Sequence, residues 1–139
     1  MQNYAITHAA LESGYGSSNL AKKHCNYFGM AGKGVKTADG RHFASYKNAT
    51  QGIMAYQNLI SQRYPTATQA ISPSNYISIL IFEGYGGKGF RHTQQAHAYT
   101  RQFVAMHGKI LAAEQKHIEQ QAIGLQTAIF TLLLLLFSA

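Results

Sequence analysis

Acidic side chains are scarce in this chain, so any chemistry that needs a carboxylate has few candidates. There are five: Glu12, Asp39, Glu83, Glu114 and Glu119. Glu12 is the strongest, because it lies near the end of a predicted helix on a face that is otherwise small and apolar. Partial burial and the negative end of the helix dipole both disfavour a charged carboxylate there. We therefore expect Glu12 to be protonated near neutral pH, as a general acid requires.

Histidine and cysteine are the other side chains that could support a reaction or a metal ion. The seven histidines show no His-x-x-x-His or His-Glu-x-x-His spacing, so we predict neither a metal site nor a cofactor. The single cysteine, Cys25, lies in an aromatic and apolar stretch and is predicted to fill the core. His8 lies one helical turn before Glu12, where it either hydrogen-bonds to Glu12 or simply packs.

The charge balance indicates a polyanionic partner. Twelve Lys and Arg residues against five Asp and Glu residues give a formal net charge of +7. Such a chain is attracted to nucleic acid, to an anionic membrane or to a negatively charged cell wall. The basic residues are scattered and form no run of the kind that marks a phosphate-binding arm, so we predict no nucleic-acid partner.

The elements that position Glu12 follow from hydrophobic spacing and turn residues. Asp39-Gly40 between two short segments predicts a β-hairpin. Several short helices with one hairpin between the second and third predict an α+β, mostly α, lysozyme-like fold: a helical lobe, a small β lobe and a cleft between them. The predicted helices cover residues 2–13, about 18–24, 50–64, 74–83 and 93–106.

The C-terminal part has a different composition. Beyond Gly108 the chain is rich in Gln and Ala and predicts a long helix that leads into an apolar run of leucines. Residues 122–139 carry no charge, and a stretch of this length is at about the lower limit for crossing ~30 Å of hydrocarbon. We predict a domain over 1–107 and a helical tail over 108–139, with a candidate membrane segment over 122–139. Docking on a partner and a non-native extension are the alternatives for that segment.

Three blocks near the N-terminus follow one another closely: Ala9-Ala10-Leu11-Glu12-Ser13-Gly14-Tyr15-Gly16, Leu20-Ala21 and Asn26-Tyr27-Phe28-Gly29. Two later blocks are Phe43-Ala44-Ser45-Tyr46 and Gly84-Tyr85. Together the five blocks resemble the glucosaminidase domains of glycoside hydrolase family 73, the peptidoglycan N-acetylglucosaminidases of bacterial autolysins, flagellar wall hydrolases and phage endolysins. The resemblance covers about residues 5–104.

The resemblance implies a role for each matching position. It makes Glu12 the general acid and Tyr85 the cleft tyrosine near the reacting sugar. Tyr15 matches the aromatic residue beside the acid, which is usually tryptophan in the family, although a plain surface aromatic is an alternative. Phe28 matches the cleft floor, with core packing as its alternative. The predicted substrate-binding residues are Tyr85, Tyr15, Phe28, Gly29 and Tyr46.

The chain departs from the family where a second acid is expected. The helix after the Phe-x-x-Tyr block often starts with Glu-Ser, but here it reads Gln51-Gly52. Asp39 is the only acid on the hairpin, so it is either the second catalytic carboxylate or only a turn residue. Without a second carboxylate, two mechanisms remain: an inverting route with a base roughly 6.5–9.5 Å from the acid, and a route assisted by the substrate's own 2-acetamido group. The loop of residues 86–89 is also unusually rich in glycine.

The combined prediction is a peptidoglycan hydrolase that cleaves the β-1,4 bond after N-acetylglucosamine, an endo-β-N-acetylglucosaminidase. One alternative is a wall-binding module that cuts poorly or not at all. Another is a muramidase or lytic transglycosylase on the same fold. We expect action at the bacterial cell wall, in the periplasm or outside the cell, with membrane contact through the tail. No signal peptide is recognisable at the start of the sequence.

Overall fold

The structure is a computed structural model that describes residues 2–86 and 93–137. The chain divides into two compact units, Met1–His107 and Gly108–Ala139. The described part is mostly helical with one small antiparallel sheet, which confirms the predicted mixture of several helices and one hairpin. Its elements are α1 (Gln2–Ser13), α2 (Asn19–His24), β1 (Ala31–Lys36), β2 (His42–Phe43), α3 (Ala49–Arg63), a 3-10 helix (Pro65–Gln69), α4 (Pro73–Phe82) and α5 (Gln94–Phe137).

Side-chain caps determine where three of the helices begin. Ser18, Asn48 and Ser72 each have extended backbone angles, and each side chain accepts a hydrogen bond from the N–H group three residues further on. Such a bond satisfies one of the N–H groups that have no partner within the first helical turn. These helices therefore begin within a residue or two of the positions predicted from the sequence.

The hairpin forms a small second lobe. β1 and β2 pair antiparallel, with Lys36 opposite His42 and Val35 opposite Phe43, and the register is irregular between Ala31 and Val35. At the turn, Gly40 has a φ of +81°, which a residue without Cβ adopts at little cost. The predicted Asp39-Gly40 turn is thus confirmed.

The core of the Met1–His107 unit is aromatic and partly polar. Its fully buried side chains include Tyr56, Tyr76 and Phe103, together with His8. Buried hydroxyl and imidazole groups are costly unless they are hydrogen-bonded. Among the described residues, every buried side-chain nitrogen and oxygen has a partner. The core is therefore held by a hydrogen-bond network as well as by apolar packing.

The last helix differs from its prediction. A helix end near Met106 is wrong, because α5 runs through Gly108 to Phe137. One glycine in a helix interior costs only about 1 kcal/mol, which the good helix formers around it offset. The candidate membrane segment 122–139 reaches beyond the described residues. Within them, no helix is both long enough and apolar enough to span a bilayer.

Candidate active site

A cleft of about 540 Å³ lies between the helices and the hairpin. Glu12 from α1 is the only carboxylate among the described residues that line it. Arg41 and Phe43 line it from the hairpin, and Tyr85 and Tyr99 line it from the helical side. The cleft thus brings residues from both lobes around a single acid.

The end of α1 places Glu12 at the rim of this cleft. Gly14, Tyr15 and Gly16 all have positive φ, so the chain turns sharply within two residues of Glu12. Ser13 is buried, and its hydroxyl accepts a hydrogen bond of 2.7 Å from the Gly16 N–H group. The same hydroxyl donates to the Ala9 carbonyl at 2.5 Å. The Glu-Ser-Gly-x-Gly sequence therefore encodes a sharp helix end that is closed by hydrogen bonds.

Two side chains hold one oxygen of Glu12. The Tyr99 hydroxyl donates a hydrogen bond to Oε1, and His8 Nε2 lies 3.6 Å from the same oxygen. Burial is the main cause that raises the pKa of Tyr99, and the Glu12 carboxylate adds to it. The Tyr99 hydroxyl therefore keeps its proton and donates a hydrogen bond to the Glu12 carboxylate.

His8 connects this pair to the buried tyrosines. Its Nε2 lies 2.7 Å from the Tyr99 hydroxyl oxygen, and its Nδ1 is hydrogen-bonded to the Tyr56 hydroxyl. The Tyr56 hydroxyl in turn lies 2.7 Å from that of Tyr76. A neutral His8 with its proton on Nε2 satisfies all these contacts. Tyr76 then donates to Tyr56, and Tyr56 donates to His8 Nδ1. His8 Nε2 donates to the Tyr99 hydroxyl, which donates to Glu12. The result is one directional chain of hydrogen bonds, Tyr76–Tyr56–His8–Tyr99–Glu12.

The expectation that Glu12 is protonated near neutral pH is contradicted by these contacts. Desolvation by burial raises the pKa of Glu12 and is the largest single cause of a shift. The polar contact with His8, the hydrogen bond from Tyr99 and a smaller electrostatic contribution from His8 together outweigh it. The pKa of Glu12 therefore lies below its ordinary value. Local spacing indicates the burial of Glu12 and its place at the helix end, but it does not contain the position of Tyr99.

Tyr85 forms the wall of the cleft next to these residues. The centre of its ring lies 4.9 Å from that of His8, and desolvation followed by the Glu12 carboxylate raises its pKa. Gly84 has a φ of +98°, and the Tyr85 N–H group donates to the Leu80 carbonyl at 2.8 Å. This turn and this hydrogen bond close the end of α4 and hold Tyr85 at the cleft.

Comparison with known proteins gives the family. The model of the glucosaminidase family, described as mannosyl-glycoprotein endo-beta-N-acetylglucosaminidase, matches residues 1–123. The chain belongs to this family. It is a glycoside hydrolase, and more specifically a glucosaminidase-type peptidoglycan hydrolase. The predicted resemblance is thereby confirmed.

A solved structure supports the fold of this glucosaminidase. The glycoside hydrolase domain of FlgJ from Salmonella typhimurium matches with a TM-score of 0.66 and 19% sequence identity. The match covers 90% of this chain and 84% of the FlgJ chain. The comparison with curated proteins gave no match.

Two of the predicted substrate-binding positions of the glucosaminidase line the cleft floor. Phe28 is stacked on Tyr56 with ring centres 3.8 Å apart and is almost fully buried, so most of its surface is core. Gly29 follows it with a φ of +62°. Buried Asn26 donates to the Met30 and Ala44 carbonyls at 2.9 and 3.0 Å, which ties this floor to the hairpin.

Two other predicted substrate-binding residues do not line the cleft. Tyr15 is 65% exposed and borders a separate apolar groove of about 360 Å³ between α1 and α3. Tyr15 follows the end of α1 with a φ of +55°, and Glu12 is not among the residues that line this groove. Tyr46 reaches the site only indirectly, since its hydroxyl contacts the sulfur of cleft-lining Met30 at 3.9 Å.

Asp39, the candidate second carboxylate, lies at the hairpin turn and is not among the described residues lining the cleft. Thr37 donates to its Oδ1, and Arg41 Nε donates to its Oδ2 at 2.7 Å. Hydrogen bonds from Thr37 and then Arg41 lower the pKa of Asp39 to about 2. Both oxygens are thus occupied in stabilising the turn.

Sequence reasoning missed Tyr99 and Arg63, both of which line the cleft. The sequence contains a signal for Tyr99, because it shares a helical spacing of three and four residues with Ala96, Phe103 and His107. These three residues are buried, so Tyr99 lies on the same inward face of α5. No such signal marks Arg63, an exposed residue at the end of α3.

Within residues 2–86 and 93–137, no group of three His, Cys, Asp or Glu side chains could hold a metal ion.

Proposed function

We propose that this glucosaminidase cleaves the β-1,4 bond that follows N-acetylglucosamine in peptidoglycan, with Glu12 protonating the departing sugar oxygen. The observation that carries this proposal is the arrangement around Glu12. It is the sole carboxylate among the described cleft residues, and Tyr99 and His8 both hold its Oε1. The enzyme would act at the cell wall, in the periplasm or outside the cell.

The two oxygens of Glu12 have different surroundings in this proposal. Oε1 accepts the Tyr99 hydrogen bond, which fixes the plane of the carboxyl group. Oε2 is then the oxygen that carries the proton toward the glycosidic oxygen. A general acid needs this separation, since it must hold its orientation and still release a proton.

Substrate binding would raise the pKa of Glu12 and so favour its protonated form. The Glu12 side chain keeps 29% of its surface exposed. A bound sugar covers that surface and removes water, which adds to the desolvation that already raises the pKa of Glu12. Protonated Glu12 is therefore more populated in the complex than in the free enzyme.

The lack of a second carboxylate among the described cleft residues favours a route assisted by the substrate. The carbonyl oxygen of the 2-acetamido group bonds to the anomeric carbon as the glycosidic C–O bond breaks, and Glu12 gives its proton to the departing oxygen. Water then attacks the anomeric carbon, breaks the new C–O bond and returns a proton to Glu12. Two displacements at the same carbon retain the anomeric configuration.

The decisive experiment compares Glu12→Gln with Asp39→Asn on purified cell walls. Each change replaces a carboxylate by an amide of the same shape. We expect Glu12→Gln to lose activity by a factor of at least about 10² to 10⁴, the typical contribution of general acid catalysis, and Asp39→Asn to stay near wild type. Mass analysis should show N-acetylglucosamine at the reducing ends of the products. Full activity of Glu12→Gln contradicts the proposal, and N-acetylmuramic acid at those ends indicates a muramidase instead.

A second digest, of a soluble substrate, tests the route. NMR of the first product formed from an N-acetylchito-oligosaccharide reports its anomeric configuration before mutarotation. Retention supports assistance by the acetamido group. Clean inversion rules it out and requires a base that activates water.

A further inference from the structure

The described lining of the cleft carries more positive than negative charge. Arg41 and Arg63 stand against the single carboxylate of Glu12. Arg41 is already paired, since its Nε lies 2.7 Å from Asp39 Oδ2. Arg63 forms no ion pair with any carboxylate of the described residues. Of the two arginines in this described lining, Arg63 is therefore the one whose charge is not offset by an ion pair.

Arg63 is held on the cleft wall by an aromatic contact. Its guanidinium carbon lies 5.7 Å from the centre of the Tyr64 ring, and Tyr64 is buried. The Tyr64 ring in turn meets Tyr85 edge-on, with ring centres 6.1 Å apart. A cation–π contact uses the face of the guanidinium group and leaves the N–H groups at its edge for other partners. Arg63 is thus placed on the wall that Tyr85 forms beside Glu12.

The chemistry of peptidoglycan supplies a matching anion on every second sugar. N-acetylglucosamine is uncharged, whereas N-acetylmuramic acid carries a lactyl group that ends in a carboxylate or in a peptide with its own carboxylates. The guanidinium fork matches a carboxylate in shape and binds it through two parallel hydrogen bonds. One such fork in the cleft distinguishes the two alternating sugars.

We propose that Arg63 is a carboxylate-binding subsite that selects N-acetylmuramic acid and so sets which of the two alternating glycosidic bonds lies at Glu12. The inference rests on the proposed function, because it assigns a register to the same cleft. In this proposal, Arg63 contacts the substrate away from the bond that is cleaved. Arg63 therefore determines specificity, while Glu12 performs the proton transfer.

The test compares substrates with and without the carboxylate. Peptide-free glycan strands offer free lactyl carboxylates, the same strands with these groups converted to methyl esters lack the charge, and N-acetylchitohexaose has no lactyl group. We expect Arg63→Gln to lower kcat/KM on the free strands by about tenfold to a hundredfold, the range for a hydrogen bond to a charged group. Esterified strands and chitohexaose should change less than about threefold. Arg63→Lys should fall between, because it keeps the charge but loses the fork.

Arg101→Gln is the matched control, because Arg101 is an exposed arginine on α5 that does not line the cleft. It should leave all three substrates within about twofold of wild type. On free strands, Arg63→Gln should also release more products that end in N-acetylmuramic acid, since the register is relaxed. Added salt should reduce the difference between wild type and Arg63→Gln.

The inference is overturned if Arg63→Gln affects the charged and uncharged substrates equally, or if it affects none of them. It is also overturned if Arg41→Gln causes a loss on the free strands as large as that of Arg63→Gln. These outcomes are separate from failure of the proposed function. If Glu12→Gln is inactive while Arg63→Gln shows no preference, only the assignment of Arg63 fails. If Glu12→Gln retains full activity, the assignment of the acid fails instead.

Discussion

At the scale of single residues, the chemistry of Glu12 is set by partners far away along the chain. Tyr99 is 87 positions from Glu12, and its hydroxyl is bonded to Oε1. His8 is a close neighbour in sequence but is fully buried and 91 positions from its Tyr99 partner. These contacts stabilise the carboxylate form, whereas burial stabilises the acid form. The balance between them determines the pH range in which Glu12 carries a proton.

Replacing Tyr99 by Phe should extend activity to higher pH. The general acid must be protonated, so the rate falls as pH rises through the pKa of Glu12. The Tyr99 hydrogen bond lowers that pKa, and its removal therefore raises it. We expect the falling limb of the kcat/KM profile on an N-acetylchito-oligosaccharide to move to higher pH.

In the wild type, the falling limb should lie at higher pH for kcat than for kcat/KM, because bound sugar desolvates Glu12.

Tyr27→Phe is the matched control for this prediction. Tyr27 borders the apolar groove rather than the cleft, so the loss of its hydroxyl should leave the profile unchanged. A Tyr99→Phe profile that overlays the wild type, or that moves to lower pH, would show that Tyr99 does not tune Glu12.

At the scale of the elements, the position of α3 depends on one glycine. A Cβ atom at Gly52 would lie 2.1 Å from the Cys25 carbonyl oxygen and 3.4 Å from the Tyr46 ring. The helix therefore packs directly on the connector that leads into the cleft floor. A larger residue forces α3 away from that backbone.

Gly52→Ala should destabilise the fold by roughly 1 to 3 kcal/mol, the usual cost of overpacking a close contact. Urea denaturation followed by circular dichroism measures the change in the free energy of unfolding. Gly108→Ala is the control, because no heavy atom lies within 4 Å of a Cβ at that position in α5. Alanine is the better helix former there, so stability should be unchanged or higher by up to about 1 kcal/mol. Equal effects of the two substitutions would contradict the close-packing argument.

At the scale of the whole molecule, the fold of the Met1–His107 unit is closed by a contact between its first and last helices. The Thr7 hydroxyl lies 2.9 Å from His107 Nδ1, and both residues are buried. From Gly108 to Thr131 most side chains are exposed, including the large apolar Ile118, Ile123 and Phe130. The buried side chains that stabilise the fold therefore lie before Gly108 in the described residues.

A chain that ends at Ala112 should therefore fold and digest walls like the full chain. It retains His107 and the helical turn that pairs the His107 carbonyl, and it removes little buried apolar area. Thermal unfolding should remain cooperative with a similar midpoint, and turbidity loss of purified walls should stay within about twofold. A chain ending at Ala105, which lacks His107, is the control and should be clearly less stable. If the Ala112 chain unfolds as readily as the Ala105 chain, the domain extends into residues 113–123, which the family model also matches.

The sequence by itself determined the features that depend on near neighbours. Helix starts follow from the caps at Ser18, Asn48 and Ser72, and the hairpin follows from Asp39-Gly40. The resemblance of five short blocks, the most specific of them around Glu12, predicts the family. Each of these signals lies within a few residues, where spacing and turn chemistry act directly.

Only the tertiary structure decided what surrounds the acid. It brought Tyr99 and Arg63 to the cleft and turned Tyr15 to another groove. It also reversed the expected direction of the pKa of Glu12. The physical reason is that a pKa reports the sum of burial, charge and hydrogen bonds at one point in space. Residues separated by most of the chain contribute to that sum, and local spacing does not contain their positions.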